Sequence, residues 1–147
     1  PRLLRPGGLS AEKIAAVLGL PAAALRDLRE VHPTVPRVSG SLQSHYAPRA
    51  IAQLVPSAEL AEAAQKMVVM KPGQRVIGLW RSTAVAPIAG VEIWPMPGDP
   101  EGYARVLYCC LHDADAAGAD VLLIESPPLD SRWEAVADRL MRACAAR

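Results

Sequence analysis

The chain has 147 residues, 16 Lys and Arg against 15 Asp and Glu for a formal net charge of +1, and 51% hydrophobic residues. With a mean hydropathy of +0.14, a chain of this size buries enough surface to fold without disulfides or a metal, which excludes a disordered tail and a disulfide scaffold. The balanced charge argues against a nucleic-acid grip built on phosphate neutralisation, because domains that work that way are strongly basic.

Taken in chain order, Ser10 reads as the cap of a short helix to Leu18, with Ile14, Val17 and Leu18 on one face and Gly19 and Pro21 ending it. A second short helix is expected from Pro21 to about Val31. Between Val31 and Arg49 the prolines and glycine of VHPTVPRVSGSLQSHYAPR break both helical and strand periodicity. A structureless stretch of that length marks a linker or a functional loop. From residue 50 short apolar runs alternate with amphipathic helices. The expected strands are Ala50 to Val55, Arg75 to Trp80, Val91 to Met96 and Asp120 to Glu125. Between them a helix from Ser57 to about Val68 would carry Leu60, Ala61, Ala64 and Met67 on one face. Asp99, with Pro100 at the first helical position, opens a helix to about Gly118, with Tyr103, Val106, Leu107, Cys110, Leu111 and Ala114 on the buried face. Ser131 and Glu134 form a capping box for a last helix that buries Trp133, Val136, Ala137, Leu140, Met141 and Cys144.

Strands such as VLLIE, apolar at successive positions, require a sheet covered on both faces. The expected architecture is α/β: a small three-layer, Rossmann-like sheet, mostly parallel, preceded by a Pro-rich linker and short helices. Ligands of such sheets sit beyond the carboxyl ends of the strands, here near Trp80 to Thr83, Pro95 to Gly98 and Glu125 to Pro128.

Neither G-x-x-x-x-G-K-[ST] nor G-x-G-x-x-G after a strand occurs, so the two common backbone cradles for phosphate are missing. Nor is there a nucleophile elbow, and Ser39, Ser41 and His45 alone do not make a hydrolytic triad. His112, Asp113 and Asp115 are metal-ligand residue types, but neighbours on a helix do not share a face, and a solvated helix end explains them as well. Cys109 and Cys110 read as a redox pair or as packing, with Cys110 and Cys144 on buried faces. Three cysteines without C-x-x-C spacing suit a reducing compartment. No apolar stretch is long enough to span a membrane and no signal peptide is evident, so a cytoplasmic setting is expected. Glu125, at a strand end, would orient a ligand, cap a neighbouring helix or bind a loop amide.

The segment Ser44-His45-Tyr46-Ala47-Pro48-Arg49 gathers an imidazole, a phenol, a rigid proline and a guanidinium in one loop. Arg binds phosphate oxygens bidentately, Tyr offers a hydroxyl or a stacking face, and His near neutrality does either. The alternative is a loop simply pinned by its aromatic residue.

At this motif the chain resembles the C-terminal Sua5 domain of threonylcarbamoyl-AMP synthase, the YrdC/Sua5 family in its long form. LLRPGG resembles the end of that family's catalytic domain, SHYAPRA its HYAP linker motif, and ESPPLDSRWEAVADRLMRACA its closing strand and helix. One departure is visible: Val38-Ser39-Gly40 stands where the family commonly has Pro-Gly before HYAP. The resemblance implies residues 1–30 as the end of an upstream YrdC-like domain with connector helices, 31–49 as an interdomain linker and lid, and 50–147 as the Sua5 α/β domain. The absence of an initiator Met before Pro1 accords with a piece of a larger protein. The resemblance further implies a parent nucleotidyltransferase that converts ATP, L-threonine and bicarbonate into threonylcarbamoyl-adenylate and pyrophosphate for t6A modification of tRNA. ATP would be a substrate of the parent, with Mg2+ as a candidate companion ion, and no cofactor would belong to the isolated domain, itself expected to be inactive. By resemblance Arg5 and Tyr46 contact the nucleotide, with His45 and Arg49 as helpers. The expected partners are the upstream YrdC-like domain and other t6A-synthesis proteins, with neither nucleic acid nor membrane bound directly. The alternative is a module that recruits tRNA-modification partners or binds a small ligand, with no part in the chemistry.

Overall fold

The computed structural model describes residues 3, 6–25, 47–81 and 86–145. Two consecutive short helices come first. Helix α1 (Ala11–Leu18) starts where the Ser10 hydroxyl accepts a hydrogen bond from the Lys13 amide, and ends at Gly19, whose φ of 64° is the left-handed conformation glycine adopts without penalty. Helix α2 (Ala22–Leu25) packs against it. The expected extension of α2 to Val31 and the whole loop to Tyr46 lie outside the described residues.

The packing of α1 departs from the expected face. Ala11 and Ala15 are buried, whereas Val17 is 87% exposed and Leu18 48%. Periodicity finds the apolar stripe of a helix but not the neighbour that will cover it, and here the contact is made through small residues.

From residue 51 the elements are β1 (Ile51–Val55), α3 (Leu60–Met70), β2 (Val76–Trp80), β3 (Val91–Pro95), α4 (Pro100–Ala116), β4 (Val121–Glu125) and α5 (Glu134–Ala143). Among the described residues the four strands form one sheet in the order β1-β4-β2-β3, and every neighbouring pair is parallel. The α/β expectation is met, and the sheet is parallel throughout. All five residues of β2 and all five of β4, the two central strands, are buried. That explains their unbroken apolar sequences. One face carries Leu60 and Ala64 of α3 against Val76, Trp80, Val121 and Leu123. The other carries Tyr103, Leu107 and Leu111 of α4 and Val136 and Leu140 of α5 against Ile77, Leu79, Leu122 and Ile124.

Several details of the expected faces change. Ala61 is exposed, Met141 is 59% exposed, and Ala143 is buried on α5. The last helix is not opened by a Ser131 capping box. Asp130 caps a 3-10 turn, Ser131–Trp133, by accepting from the Arg132 amide, and α5 follows at Glu134. A carboxylate one residue upstream takes the capping role because the first turn is wound more tightly than an α-helix. Asp99 caps α4 as expected, accepting from the Gly102 amide at 2.7 Å.

Gly78 sits in the middle of β2 for a steric reason. A Cβ built there would lie 2.6 Å from the Trp80 indole, which folds back over the glycine on the α3 face of the sheet.

Candidate functional site

Polar groups converge at the carboxyl ends of the strands. The register places Leu79 beside Ile124 on adjacent parallel strands, so Glu125 closes β4 where Arg81 follows β2. Glu125 is 1% exposed, the buried charged residue among the described residues. Its carboxylate accepts from the Ser57 hydroxyl at 2.6 Å, just past β1, and from the Arg81 backbone amide at 2.7 Å. The Arg81 guanidinium donates through Nη2 to Oε1 at 3.0 Å. One carboxylate thus ties together the ends of three strands, and its burial is compensated by a charged partner and neutral donors.

Two aromatic residues close the cluster from the α4 and α5 face. The guanidinium carbon of Arg81 lies 5.6 Å from the Trp133 ring centroid, a cation–π arrangement. Tyr103, in the first turn of α4, meets Trp133 edge to face at 5.6 Å and 76°. Burial, and after it the nearby Glu125 charge, pushes the Tyr103 phenol above its ordinary range, so the hydroxyl stays protonated.

Glu125 was the residue whose role the sequence left open. It binds the amide of the chain leaving β2, as one of the three alternatives held. Ser57, Arg81, Tyr103 and Trp133 were not singled out as a polar group. The available signal was two unbroken apolar runs, VIGLW and VLLI, each followed by a charge of opposite sign.

Of the site residues that the resemblance implies, Arg49 is the one among the described residues. Arg5, His45 and Tyr46 are outside the described residues, as are Ser39 and Ser41. Arg49 is exposed, and its backbone amide donates to both carboxylate oxygens of Asp115 at 2.9 Å. The Ala50 amide also donates to Asp115 Oδ1, at 3.2 Å. Asp115 therefore fastens the chain to the end of α4 just before β1 begins. The five residues of β1 separate this clamp from the Glu125 cluster, about 16 Å at the usual strand rise. Arg49 and the strand-end site lie at opposite ends of the strands.

A second knot lies at the same end of the strands as Asp115. The Arg75 amide donates to Asp120 at 2.8 Å, and its guanidinium binds the Ala117 carbonyl and Glu92. The Trp94 indole N–H and the Arg75 guanidinium, both donating to Glu92, hold that carboxyl below its usual range. Arg75 and Glu92 are nearly half exposed, so the ion pair adds little stability.

The metal reading of His112, Asp113 and Asp115 finds no support among the described residues, which contain no group of three or more ligands. His112 faces Asp113 at 3.6 Å with both side chains in solvent, while Asp115 is engaged by amides. All three cysteines are free thiols. Burial raises Cys110 and pushes Cys144 up to about 11, and both pack against the core, which favours packing over redox chemistry for these two. No helix among the described residues is long and apolar enough to cross a membrane.

Comparison with known proteins gives two findings. A family model described as the C-terminal domain of threonylcarbamoyl-AMP synthase matches residues 9–145. Among solved structures, Sua5 from P. abyssi complexed with L-threonine is 26% identical with a TM-score of 0.73, covering 98% of this chain and 42% of that one. A P. abyssi Sua5 variant with a histidine and the next tyrosine both replaced by alanine is 25% identical with a TM-score of 0.70, over 98% of this chain and 41% of that one. The chain thus spans about two fifths of the length of these structures. A search of curated proteins finds no match.

Proposed function

The chain belongs to the family of threonylcarbamoyl-AMP synthase C-terminal domains, and from that premise we propose that it is the accessory part of a longer enzyme whose catalytic domain precedes it. The parent reaction would join ATP, L-threonine and bicarbonate into threonylcarbamoyl-adenylate with release of pyrophosphate, for t6A modification of tRNA. L-threonine is bound by the P. abyssi Sua5 that this chain resembles over 98% of its length.

In this reading residues 31–49 are a linker that closes over the upstream active site. The observation that carries it is the His-Tyr pair. The chain has three histidines, and only His45 is followed by tyrosine. A consecutive histidine and tyrosine are also the residues replaced in the P. abyssi variant. Threonylcarbamoyl-adenylate is a mixed anhydride that water destroys, so a lid over it protects the product while positioning the nucleotide. Tyr46 orients the nucleotide, Arg5 and Arg49 neutralise phosphate charge, and His45 assists as a donor. Any Mg2+ would travel with the triphosphate.

The α/β domain supplies the anchor. Asp115 grips the amides of Arg49 and Ala50, so the two residues between Tyr46 and that clamp leave a fixed point on a rigid sheet. A short tether limits the volume the tyrosine samples and raises its effective concentration at a neighbouring site.

The test uses the full-length parent carrying Tyr46→Ala. Pyrophosphate release coupled to threonylcarbamoyl-adenylate should fall at least tenfold, with a larger share of the product appearing as hydrolysed material. Unchanged turnover at saturating ATP with unchanged leakage would refute the lid. If deleting residues 50–147 spares basal synthesis but abolishes its enhancement by partner proteins or tRNA, recruitment replaces the lid as the function of this domain.

A further inference from the structure

The strand-end cluster is not explained by anchoring a linker, because it lies at the opposite end of the strands from Arg49 and Asp115. It also contains polar atoms that the fold itself leaves unanswered. Arg81 Nε and the Tyr103 hydroxyl are buried and have no hydrogen-bond partner among the described residues. Tyr103 is 1% exposed. The two groups come from different elements, the end of β2 and the first turn of α4, and both pack on Trp133. Buried polar groups are almost always paired, and two orphans against one ring beside a satisfied ion pair call for a specific cause.

The donor set narrows what would answer them. Arg81 Nε–H only donates, so the missing partner must present an acceptor oxygen there. The Tyr103 hydroxyl can donate to the same oxygen or accept from an N–H beside it. The charges narrow it further. Arg81 and Glu125 already neutralise one another at 3.0 Å. A phosphate or carboxylate added to that pair would leave a net negative charge in a low-dielectric site, whereas a neutral carbonyl adds none.

We propose that the carboxyl end of this sheet is a binding site for a small neutral molecule of the carboxamide class, held by Arg81 Nε–H and the Tyr103 hydroxyl against Trp133. Glu125 and Ser57 act as positioning residues, since they hold the guanidinium and do not touch the ligand. The Arg81 side chain is 23% exposed, so the cluster reaches solvent at Arg81. The proposal is independent of the lid, because it concerns the other end of the strands and makes no use of residues 31–49.

The experiment titrates the 15N-labelled 147-residue chain with acetamide, and separately with acetate as its charged isostere. Acetamide should move the Arg81 Nε–H and Trp133 indole resonances saturably and raise Tm, while acetate does neither. Tyr103→Phe and Arg81→Lys should abolish the response, and Tyr103→Phe without ligand should melt about 2–4 °C higher than the parent chain because an unanswered hydroxyl has gone. Absence of a saturable shift with acetamide up to its solubility limit would overturn the proposal. So would an equal response to acetate, or a lower melting temperature for Tyr103→Phe, which would mean the hydroxyl already has a partner within the fold.

Discussion

Replacing Glu125 by Gln tests whether the end of the sheet is held by one buried carboxylate. The substitution keeps shape and volume but exchanges one acceptor oxygen for an NH2 group. Oε1 accepts from Ser57 and Arg81 Nη2 at 2.6 and 3.0 Å, and Oε2 from the Arg81 amide at 2.7 Å. If the amide oxygen takes the Oε1 position, the Arg81 N–H faces another donor; in the flipped orientation two donors do. A charge-assisted hydrogen bond is worth about 1.5–3 kcal/mol, and breaking a buried ion pair about 3–5 kcal/mol. The Glu125 side chain is wholly buried but that of Arg81 is 23% exposed, so water compensates part of the freed cation. Together these give a loss of about 2–4 kcal/mol. At about 2–4 °C per kcal/mol for a chain of this size, Tm should fall by about 5–15 °C. Urea denaturation of the parent chain, Glu125→Gln, Arg81→Met and the double variant measures the coupling directly. The double variant should be less destabilised than the sum of the singles by at least about 1 kcal/mol. A Glu125→Gln chain within about 0.5 kcal/mol of the parent would refute the reasoning, since that is the range of an ordinary surface substitution.

Three further outcomes follow from particular contacts. Gly78→Ala should destabilise the chain by about 1–3 kcal/mol in denaturant, because the new methyl meets the Trp80 indole within the most buried strand, and a blue or red shift in Trp fluorescence should report the displaced ring. Asp115→Ala should leave global stability reduced by about 1–2 kcal/mol but abolish hydrogen-exchange protection at the Arg49 and Ala50 amides, which have no strand partner there to replace the carboxylate. Burial raises the Cys144 thiol to about 11 and raises the Tyr103 phenol as well, so the folded state holds these protons more tightly than the unfolded one. Their contribution to stability is complete below the ordinary thiol range and is lost as pH rises toward 11, so Cys144→Ala should flatten the alkaline limb of a Tm–pH profile.

Most of the α/β pattern could be read from the sequence because its physical causes are local. VIGLW and VLLIE are apolar on both faces, and only a covered parallel sheet buries both. Tyr103, Leu107, Leu111 and Ala114 repeat at helical spacing, and all four are buried on α4. Where the reading slipped, a tertiary choice decided the result. Val17 and Leu18 lie on an apolar stripe, yet α1 buries Ala11 and Ala15 instead. Asp130 outcompeted Ser131 as a cap once the first turn before α5 tightened. The strand-end cluster was hidden for a similar reason: Arg81 and Glu125 are 44 residues apart, and nothing local reveals that β4 lies between β1 and β2. Motif resemblance pointed to Tyr46 and Arg49 and away from the polar group on the sheet.

The most direct test of the accessory-domain account is pyrophosphate release from ATP in the presence of L-threonine and bicarbonate, measured for this chain alone and then mixed with a separately produced upstream domain. The account predicts silence from the chain alone and a gain in release on mixing, lost again when the added chain carries Tyr46→Ala. Release by residues 1–147 alone would contradict it, since catalysis would then reside in the α/β domain.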